Sequence, residues 1–312
     1  MTTRRAAAPS LATGTARQNP NQALSGAAQI RGEAASSCGA RQLTLGQALA
    51  AARQRIDRLD ARLLLQYATG CSHADLLARP ETPVIEPAYA QFVEWVERRA
   101  AGEPLAYLVG EAEFRGRVFQ VSPAVLIPRP DTEVLVELAL ERLPGSAQPR
   151  VLDLGTGSGI VAISLALEWP AADVVAVDLS AAALQVAANN AARLGARVDF
   201  RAGDWYQPVA GEQFDLIVAN PPYIAAGDPH LDGDGLPHEP QSALTDGGDG
   251  LACIRHIVAA AAAHLQPGGW LLLEHGHDQG AACRNLLTAA GFQGPFTHPD
   301  LAGSDRVSGA HL

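Results

Sequence analysis

Two short stretches carry residue types that can do chemistry. Val151-Leu152-Asp153-Leu154 leads through Gly155-Thr156-Gly157-Ser158-Gly159 directly into an apolar helical pattern. Strand, glycine turn and helix start are the parts of a nucleotide site: glycines let the backbone approach a ligand, and the helix start offers unpaired N–H groups. A dinucleotide fingerprint would need glycine where Ile160 stands, so a close pyrophosphate contact is not expected. Ser158 does not fit a hydrolase nucleophile, because Thr156 and Ile160 occupy the positions where that turn needs glycine. Asp178 ends the next apolar run and is placed to accept from two ribose hydroxyls, the plainer reading being a cap on the helix from Ser180. Gly203-Asp204-Trp205-Tyr206 then offers Asp204 to an adenine amino group and Trp205 to the face of the ring, against ordinary packing for the Trp. The second stretch is Asn220-Pro221-Pro222-Tyr223, directly after the apolar run Phe214–Ala219. Two prolines cannot extend a buried strand and they fix the local backbone. A plain rigid turn needs no polar Asn with an aromatic neighbour at the mouth of a crevice.

Stepping outward, helix and strand patterns alternate beyond Asp131: helix 131–142, strand 150–154, helix 160–168, strand 173–178, helix 180–194, strand 197–201, strand 214–219, helix 251–265, strand 270–275, helix 278–290, with a closing hairpin in 295–312. Continuous Val/Ile/Leu runs alternating with helices imply a parallel sheet covered on both faces. Ligands of such sheets lie across the carboxyl ends of the strands. Before Asp131 the spacing of Leu45, Leu49, Ile56, Leu63, Leu64 and Phe92 predicts a small helical bundle. Alternation around Phe114, Val118, Phe119 and Val121 predicts a β-hairpin, followed by the rigid Ile127-Pro128-Arg129-Pro130. The expected division is therefore a disordered extension over 1–41, a helical domain over 42–108, a hairpin connector over 109–130 and an α/β domain over 131–312.

Charge narrows the partners. All 23 basic residues of the 312 are arginine, and 33 acidic residues leave a net charge of −10. Residues 1–41 hold five Arg against Glu33 alone, and with hardly a large apolar side chain they cannot offset the entropy of ordering. Their composition also resembles an organelle transit peptide, against a non-functional extension or a misassigned start. Segment 109–312 has 11 Arg against 24 carboxylates, net −13, and Ile224–Gly250 carries Asp228, Asp232, Asp234, Glu239, Asp246 and Asp249 with no Arg. Such a loop repels a phosphate backbone over a Debye length of about 8 Å, so stable nucleic-acid binding is not expected. Cys38, Cys71, Cys253 and Cys283 form no Cys-x-x-Cys pair, so neither a zinc site nor a disulfide framework is indicated. His275 and His277 with Asp278 could suggest a metal, but a His at a strand end is more often a hydrogen-bonded structural residue, so no metal is expected. No apolar run approaches the roughly 18 residues of a membrane span, and a cytoplasmic protein is expected.

Taken together, the Gly155–Gly159 loop, Asp178 and Asn220-Pro221-Pro222-Tyr223 resemble a class I S-adenosylmethionine-dependent methyltransferase acting on a planar nitrogen. More narrowly, Leu126-Ile127-Pro128-Arg129-Pro130-Asp131-Thr132-Glu133, the Asn220–Tyr223 segment with Ile224, and Leu273-Glu274-His275-Gly276 are similar to the HemK/PrmC family, glutamine N5-methyltransferases of peptide-chain release factors. The resemblance runs from about Leu43 onward. It implies a Rossmann-like, mostly parallel seven-stranded sheet behind the bundle and hairpin, with the bundle helping to dock the protein substrate. It further implies S-adenosylmethionine held by Gly155, Thr156, Gly157, Ser158, Gly159, Asp178, Asp204, Trp205 and Asn220, with Asp153 as an indirect support. Asn220, Pro221, Pro222 and Tyr223 are the implied catalytic residues. The Asn220 side-chain oxygen and the Pro221 carbonyl would accept the two N–H bonds of a glutamine amide, while Pro222 and Tyr223 wall it. The methyl acceptor would be the glutamine of the Gly-Gly-Gln loop. Methylation of a ribosomal-protein glutamine, or of adenine N6 or guanine N2 in nucleic acid, are the neighbouring readings; Pro130 favours the release-factor branch. The chain departs from the family pattern at Arg115, where an aromatic is usual, and at Gly309-Ala310-His311-Leu312, where Gly-Arg is often found.

Overall fold

In the computed structural model, residues 42–143, 148–233 and 235–312 are described, so the expectation of disorder over 1–41 lies outside them. Five helices open the described chain: α1 (Leu45–Ala52), α2 (Arg58–Thr69), α3 (His73–Ala78), α4 (Ala88–Ala100) and α5 (Leu105–Val109). Local chemistry sets their ends. Thr44 and Gln47 form a reciprocal capping box at α1, Asp57 caps α2, and Gly70 ends α2 in the left-handed region that glycine tolerates. Leu45, Leu64, Leu65, Phe92, Val96 and Leu108 bury together as the bundle's own core. The hairpin follows as β1 (Glu111–Phe114) and β2 (Arg117–Gln120), antiparallel.

The remainder alternates: α6 (Thr132–Arg142), β3 (Arg150–Leu154), α7 (Ile160–Glu168), β4 (Asp173–Asp178), α8 (Ala181–Leu194), β5 (Asp199–Ala202), β6 (Phe214–Ala219), the single turn α9 (Gln241–Leu244), α10 (Ala252–Ala261), β7 (Leu265–Glu274), α11 (Gly280–Ala289), β8 (Gln293–Pro299) and β9 (Asp305–His311). Seven strands make one sheet in the order β5-β4-β3-β6-β7-β9-β8, parallel except for β9. The mostly parallel seven-stranded sheet expected from the sequence is thus borne out. Alternate residues feed two cores: Val151, Leu216 and Val218 on one face, Leu152, Leu154 and Ile217 on the other. Several boundaries shift by a few residues, the expected helix 251–265 ending at Ala261 and the expected strand 197–201 starting at Asp199, and the largest shift is in β7. β7 starts at Leu265, five residues before the expected 270, because Pro267-Gly268-Gly269 forms an irregularity within the strand and not the turn its composition suggests. A Cβ at Gly269 would stand 2.9 Å from the Gln266 carbonyl oxygen and 3.1 Å from that of Asp215, so the chain crosses its neighbour too closely for a side chain.

The hairpin is fastened to the sheet domain by two devices that the sequence did not reveal. Arg115, at the hairpin turn with φ 49°, donates from Nε and Nη2 to both Glu168 oxygens at 3.0 Å, while its backbone N–H donates to Glu133. The departure from the family pattern is therefore a clamp onto α6 and α7. Asn190 of α8, fully buried, accepts from the Gln120 N–H at 2.7 Å and donates to the carbonyls of Gln120 and Ser158 at 3.0 Å each. One amide thus ties β2 to the glycine turn. Asn190→Ala strands three backbone groups and should cost about 1–3 kcal/mol. Urea unfolding should show a lower midpoint at unchanged slope; an unshifted midpoint would remove Asn190 from the structural account.

Candidate active site

Register decides which residues meet. Leu154 pairs with Val177 of β4 and Ala219 of β6, and Ala219 pairs with Leu273 of β7. One residue further on, Asp178, Gly155, Asn220 and Glu274 therefore stand in a row across the carboxyl edge. The chain order reverses between β3 and β6, which is where a doubly wound sheet opens a crevice.

A cavity of about 570 Å³ occupies that crevice, lined among others by Asp153, Gly155, Asp178, Asp204, Trp205 and Asn220. Thr156, Gly157, Ser158 and Pro222 also reach it, whereas Gly159 and Pro221 are not among its lining. Gly159 serves packing: it caps α7 at φ 84°, and a Cβ there would come within 2.7 Å of Ile163 Cδ1. Gly155 and Thr156 donate their N–H groups to the Val177 carbonyl, which holds the turn against β4. Asp178 accepts from the Gly157 N–H and the Ser180 N–H, one oxygen each, at 2.8 Å. The helix cap at α8 is Ser180, which accepts from Ala183, so Asp178 is not needed for it and keeps lone pairs toward the cavity. Trp205 lines the cavity at φ 44°, an uncommon backbone state for a non-glycine. Tyr206 turns inward instead, its hydroxyl donating to the Ile257 carbonyl.

Asp153 lies beneath the glycine turn, 2% exposed, and accepts from the Thr156 hydroxyl at 2.7 Å and the Ala162 N–H. Burial pushes its carboxyl up to about 7, with the charge of Asp178 adding to the effect and the two hydrogen bonds opposing it.

A second cavity of about 270 Å³ adjoins the first, lined by Arg129, Asn220, Tyr223, Leu236 and Leu244 among others. Leu126, Arg129, Asn220 and Ala243 belong to both. Asn220 thus stands at the junction, its Nδ2 donating to Thr132 Oγ1 at 3.2 Å, which leaves Oδ1 for a ligand. Tyr223 donates from its hydroxyl to Glu274 Oε1 at 3.4 Å, and burial raises its pKa further above the ordinary value. Its carbonyl accepts from Gln279 Nε2 at 2.9 Å. Gly250, at φ 79°, has no room for a side chain, since a Cβ would lie 2.4 Å from that same Tyr223 carbonyl. The acidic loop is fixed to the Ile127–Pro130 segment by Glu239, whose carboxylate accepts from the Ile127 N–H at 3.0 Å and pairs with Arg129 at 2.5 Å.

Thr132 and Glu274 have no role that the sequence assigns, whereas Glu239, expected to be a structural element of its loop, fastens that loop to the Ile127–Pro130 segment. Thr132 and Glu274 both lie inside the segments that carry the family resemblance, but nothing in the sequence names their partners. His275 is fully buried, with Nδ1 against the Gly276 carbonyl and Nε2 against Ser308 Oγ at 2.7 Å, and burial lowers its pKa. Among the described residues no group of three or more His, Cys, Asp or Glu is arranged to hold a metal ion, and no helix is long and apolar enough to cross a membrane.

Known proteins resemble the chain over most of its length. Residues 44–110 match a family model described as the PrmC N-terminal domain, and residues 131–249 match the methyltransferase small domain. The release factor glutamine methyltransferase of Bordetella pertussis is 54% identical over 259 residues, covering 82% of this chain and 96% of that relative. The protein of the same name from Xylella fastidiosa (strain Temecula1) is 52% identical over 261 residues, covering 83% and 95%. Among solved structures, the catalytic domain of hMettl16, in complex with the MAT2A 3′UTR hairpin 6, superposes with a TM-score of 0.50 at 14% identity over 72% of this chain and 81% of that one, a likeness that bears on the fold alone. With about half of the aligned residues identical to relatives spanned almost end to end, the chain belongs to the release factor glutamine methyltransferase family, on a class I methyltransferase fold.

Proposed function

We propose that the protein transfers a methyl group from S-adenosylmethionine to the side-chain amide nitrogen of the glutamine in the Gly-Gly-Gln loop of peptide-chain release factors. The observation that carries this reading is the junction: two cavities meet at an Asn whose Nδ2 is already committed and whose Oδ1 is not. The larger has the volume of a cofactor site. The smaller suits a flat amide entering from the outside, between Tyr223 and Arg129.

The residues fit S-adenosylmethionine, whose sulfonium and ammonium groups are cationic: Asp153, Asp178 and Asp204 line the cavity, and the cation that also lines it, Arg129, is paired with Glu239. The bound cofactor supplies a methyl carbon activated by sulfur. Asp178 binds ribose hydroxyls, Asp204 accepts from the adenine amino group, and Trp205 covers the ring, with Gly155, Thr156, Gly157 and Ser158 giving close backbone approach and Gly159 packing the helix behind them.

An amide nitrogen is a poor nucleophile because its lone pair is delocalised, so position has to do most of the work. The substrate NH2 has two donors, and Asn220 Oδ1 and the Pro221 carbonyl accept them. That aims the nitrogen at the larger cavity, while Pro222 and Tyr223 flank the amide plane. Orientation of this kind supplies up to about 7–11 kcal/mol of barrier reduction, and acceptors facing the charge that grows on nitrogen add to it. No strong base is required, since an N-alkylated amide cation is acidic. The loop Ile224–Gly250, acidic and without Arg, favours a protein loop over a phosphate backbone. The helices from Leu45 to Val109 serve to dock that protein, and the cytoplasm is the compartment that fits its substrate.

Labelled methyl from S-adenosylmethionine should appear on a purified release factor and be absent when the loop glutamine is replaced by Ala. Labelling of the Ala variant would overturn the assignment. Asn220→Ala should largely retain cofactor binding and lose about 2.7–4 kcal/mol of transition-state stabilisation, two to three powers of ten in turnover; near-normal single-turnover rates would reject its role. Cofactor affinity should fall as the pH drops through about 7, because protonated Asp153 no longer attracts a cation. Calorimetry on Asp153→Asn should show that dependence flattened, and an unchanged pH profile would exclude Asp153 as its source.

A further inference from the structure

A turn that must hold a reacting group still can be anchored only where it has hydrogen-bonding groups to offer. Asn220-Pro221-Pro222-Tyr223 has few. Neither proline carries an N–H, and in the reaction proposed above the Pro221 carbonyl is kept for the substrate. The start of the turn is secured by the sheet, where Ala219 pairs with Leu154 and Leu273. Its far end lies beyond the ladder. There the Tyr223 hydroxyl donates to Glu274 at a long 3.4 Å, and the firm bonds are on the backbone: the Ile224 N–H donates to the Leu244 carbonyl, and the Tyr223 carbonyl accepts from Gln279 Nε2 at 2.9 Å.

Gln279, the residue before α11, closes more than this one bond. Its Nε2 also donates to the Gly250 carbonyl at 3.3 Å, and its Oε1 accepts from the Gly276 N–H at 2.9 Å. Both amide hydrogens and the amide oxygen are thereby used. Tyr223 immediately precedes the acidic loop Ile224–Gly250 and Gly250 ends it, so one side chain pins both stems of that loop. The fit is close. A Cβ at Gly250 would stand 2.4 Å from the Tyr223 carbonyl oxygen and 2.9 Å from Gln279 Nε2, and one at Gly276 would stand 3.3 Å from Gln279 Oε1. The Gly250 stem is stiff on its own side, since Asp246 accepts from the N–H groups of Gly248, Gly250 and Ala252.

We propose that Gln279 is a positioning residue for methyl transfer: by holding the Tyr223 carbonyl it fixes the far end of the Asn-Pro-Pro-Tyr turn, and with it the directions of Asn220 Oδ1 and the Pro221 carbonyl toward the substrate amide. The inference rests on the reaction proposed above and adds to it the group that braces its catalytic turn. Proline locks φ at two successive positions, so the turn behaves as a stiff link. Held at both ends, such a link has little freedom; released at one end it swings as a unit, and the Pro221 carbonyl swings with it. A misplacement of about 1 Å is enough to cost up to about a hundredfold in rate. Gly155, Asp178 and Asp204 follow or end β3, β4 and β5, away from this brace, so its loss falls on turnover and not on cofactor affinity.

The test uses the full chain, a release factor and S-adenosylmethionine, with cofactor affinity by calorimetry and methyl transfer followed in single turnovers with enzyme in excess. Gln279→Leu, similar in size and without hydrogen-bonding atoms, should lower the single-turnover rate roughly tenfold to a hundredfold. Its cofactor Kd should stay within about threefold, since only transition-state contacts are disturbed. Because the brace acts through the turn, the same substitution added to Asn220→Ala should cost about threefold at most. Gln279→Glu supplies a pH-dependent rescue. As a carboxylate it sets acceptors against two carbonyls; as an acid it can donate to Tyr223 and accept from Gly276, so its rate relative to wild type should climb as pH falls from about 8 to about 5. A wild-type rate in Gln279→Leu, a loss confined to cofactor affinity, or a penalty undiminished beside Asn220→Ala would overturn the proposal. Should Gln279→Leu not fold, the Gln279→Glu profile decides, and a flat ratio overturns the brace. An active Asn220→Ala would instead refute the reaction on which the brace rests.

Discussion

Parallel strand register is the constraint on which the site depends. Hydrogen bonding fixes Leu154 opposite Val177 and Ala219, and Ala219 opposite Leu273. Because side chains alternate faces with a period of two, a slip of one residue in any of these pairings would both bury the wrong face and remove a site residue from the edge. The apolar core and the chemistry are thereby locked together. The residues that bury β3, β4, β6 and β7 on two faces also bring Asp178, Gly155, Asn220 and Glu274 into one line.

Outside the sheet, the site is completed by segments that are distant in sequence and joined by single polar side chains. Glu239 fastens the loop after Tyr223 to the backbone of Ile127 and to Arg129. Asn190 joins the hairpin to the glycine turn, and Arg115 joins it to the helices behind. Each is a charged or amide group with several hydrogen bonds at partly or fully buried positions, where an unmade bond costs more than a made one gains. Specific placement of the crevice walls follows from that asymmetry.

Local patterns made the strands, the glycine turn and the Asn-Pro-Pro-Tyr segment legible in the sequence, because each is written in consecutive residues. The start of β7 was obscured by Pro267-Gly268-Gly269, whose composition is that of a turn although the strand continues through it. Partnerships were harder still. Asn220 and Thr132 lie 88 positions apart, Asn190 and Gln120 lie 70, and only the folded topology brings them together. Asp178 as a candidate ligand group was read from its place at a strand end, and the cavity lining agrees with that placement. The left-handed backbone at Trp205 and the packing duty of Gly159 have no signature beyond the residue names themselves.

The position of β9 has a bearing on how the chain is made. It lies between β7 and β8, although it follows both in the sequence. A nascent polypeptide that has emerged only as far as Pro299 presents two unpaired strand edges, the kind of template on which chains stick to one another. Gly309 must then pass close to Leu272, where even a methyl group would collide with the Leu side chain. Synthesis therefore includes an interval of vulnerability to aggregation that closes only when Asp305–His311 slides into the gap.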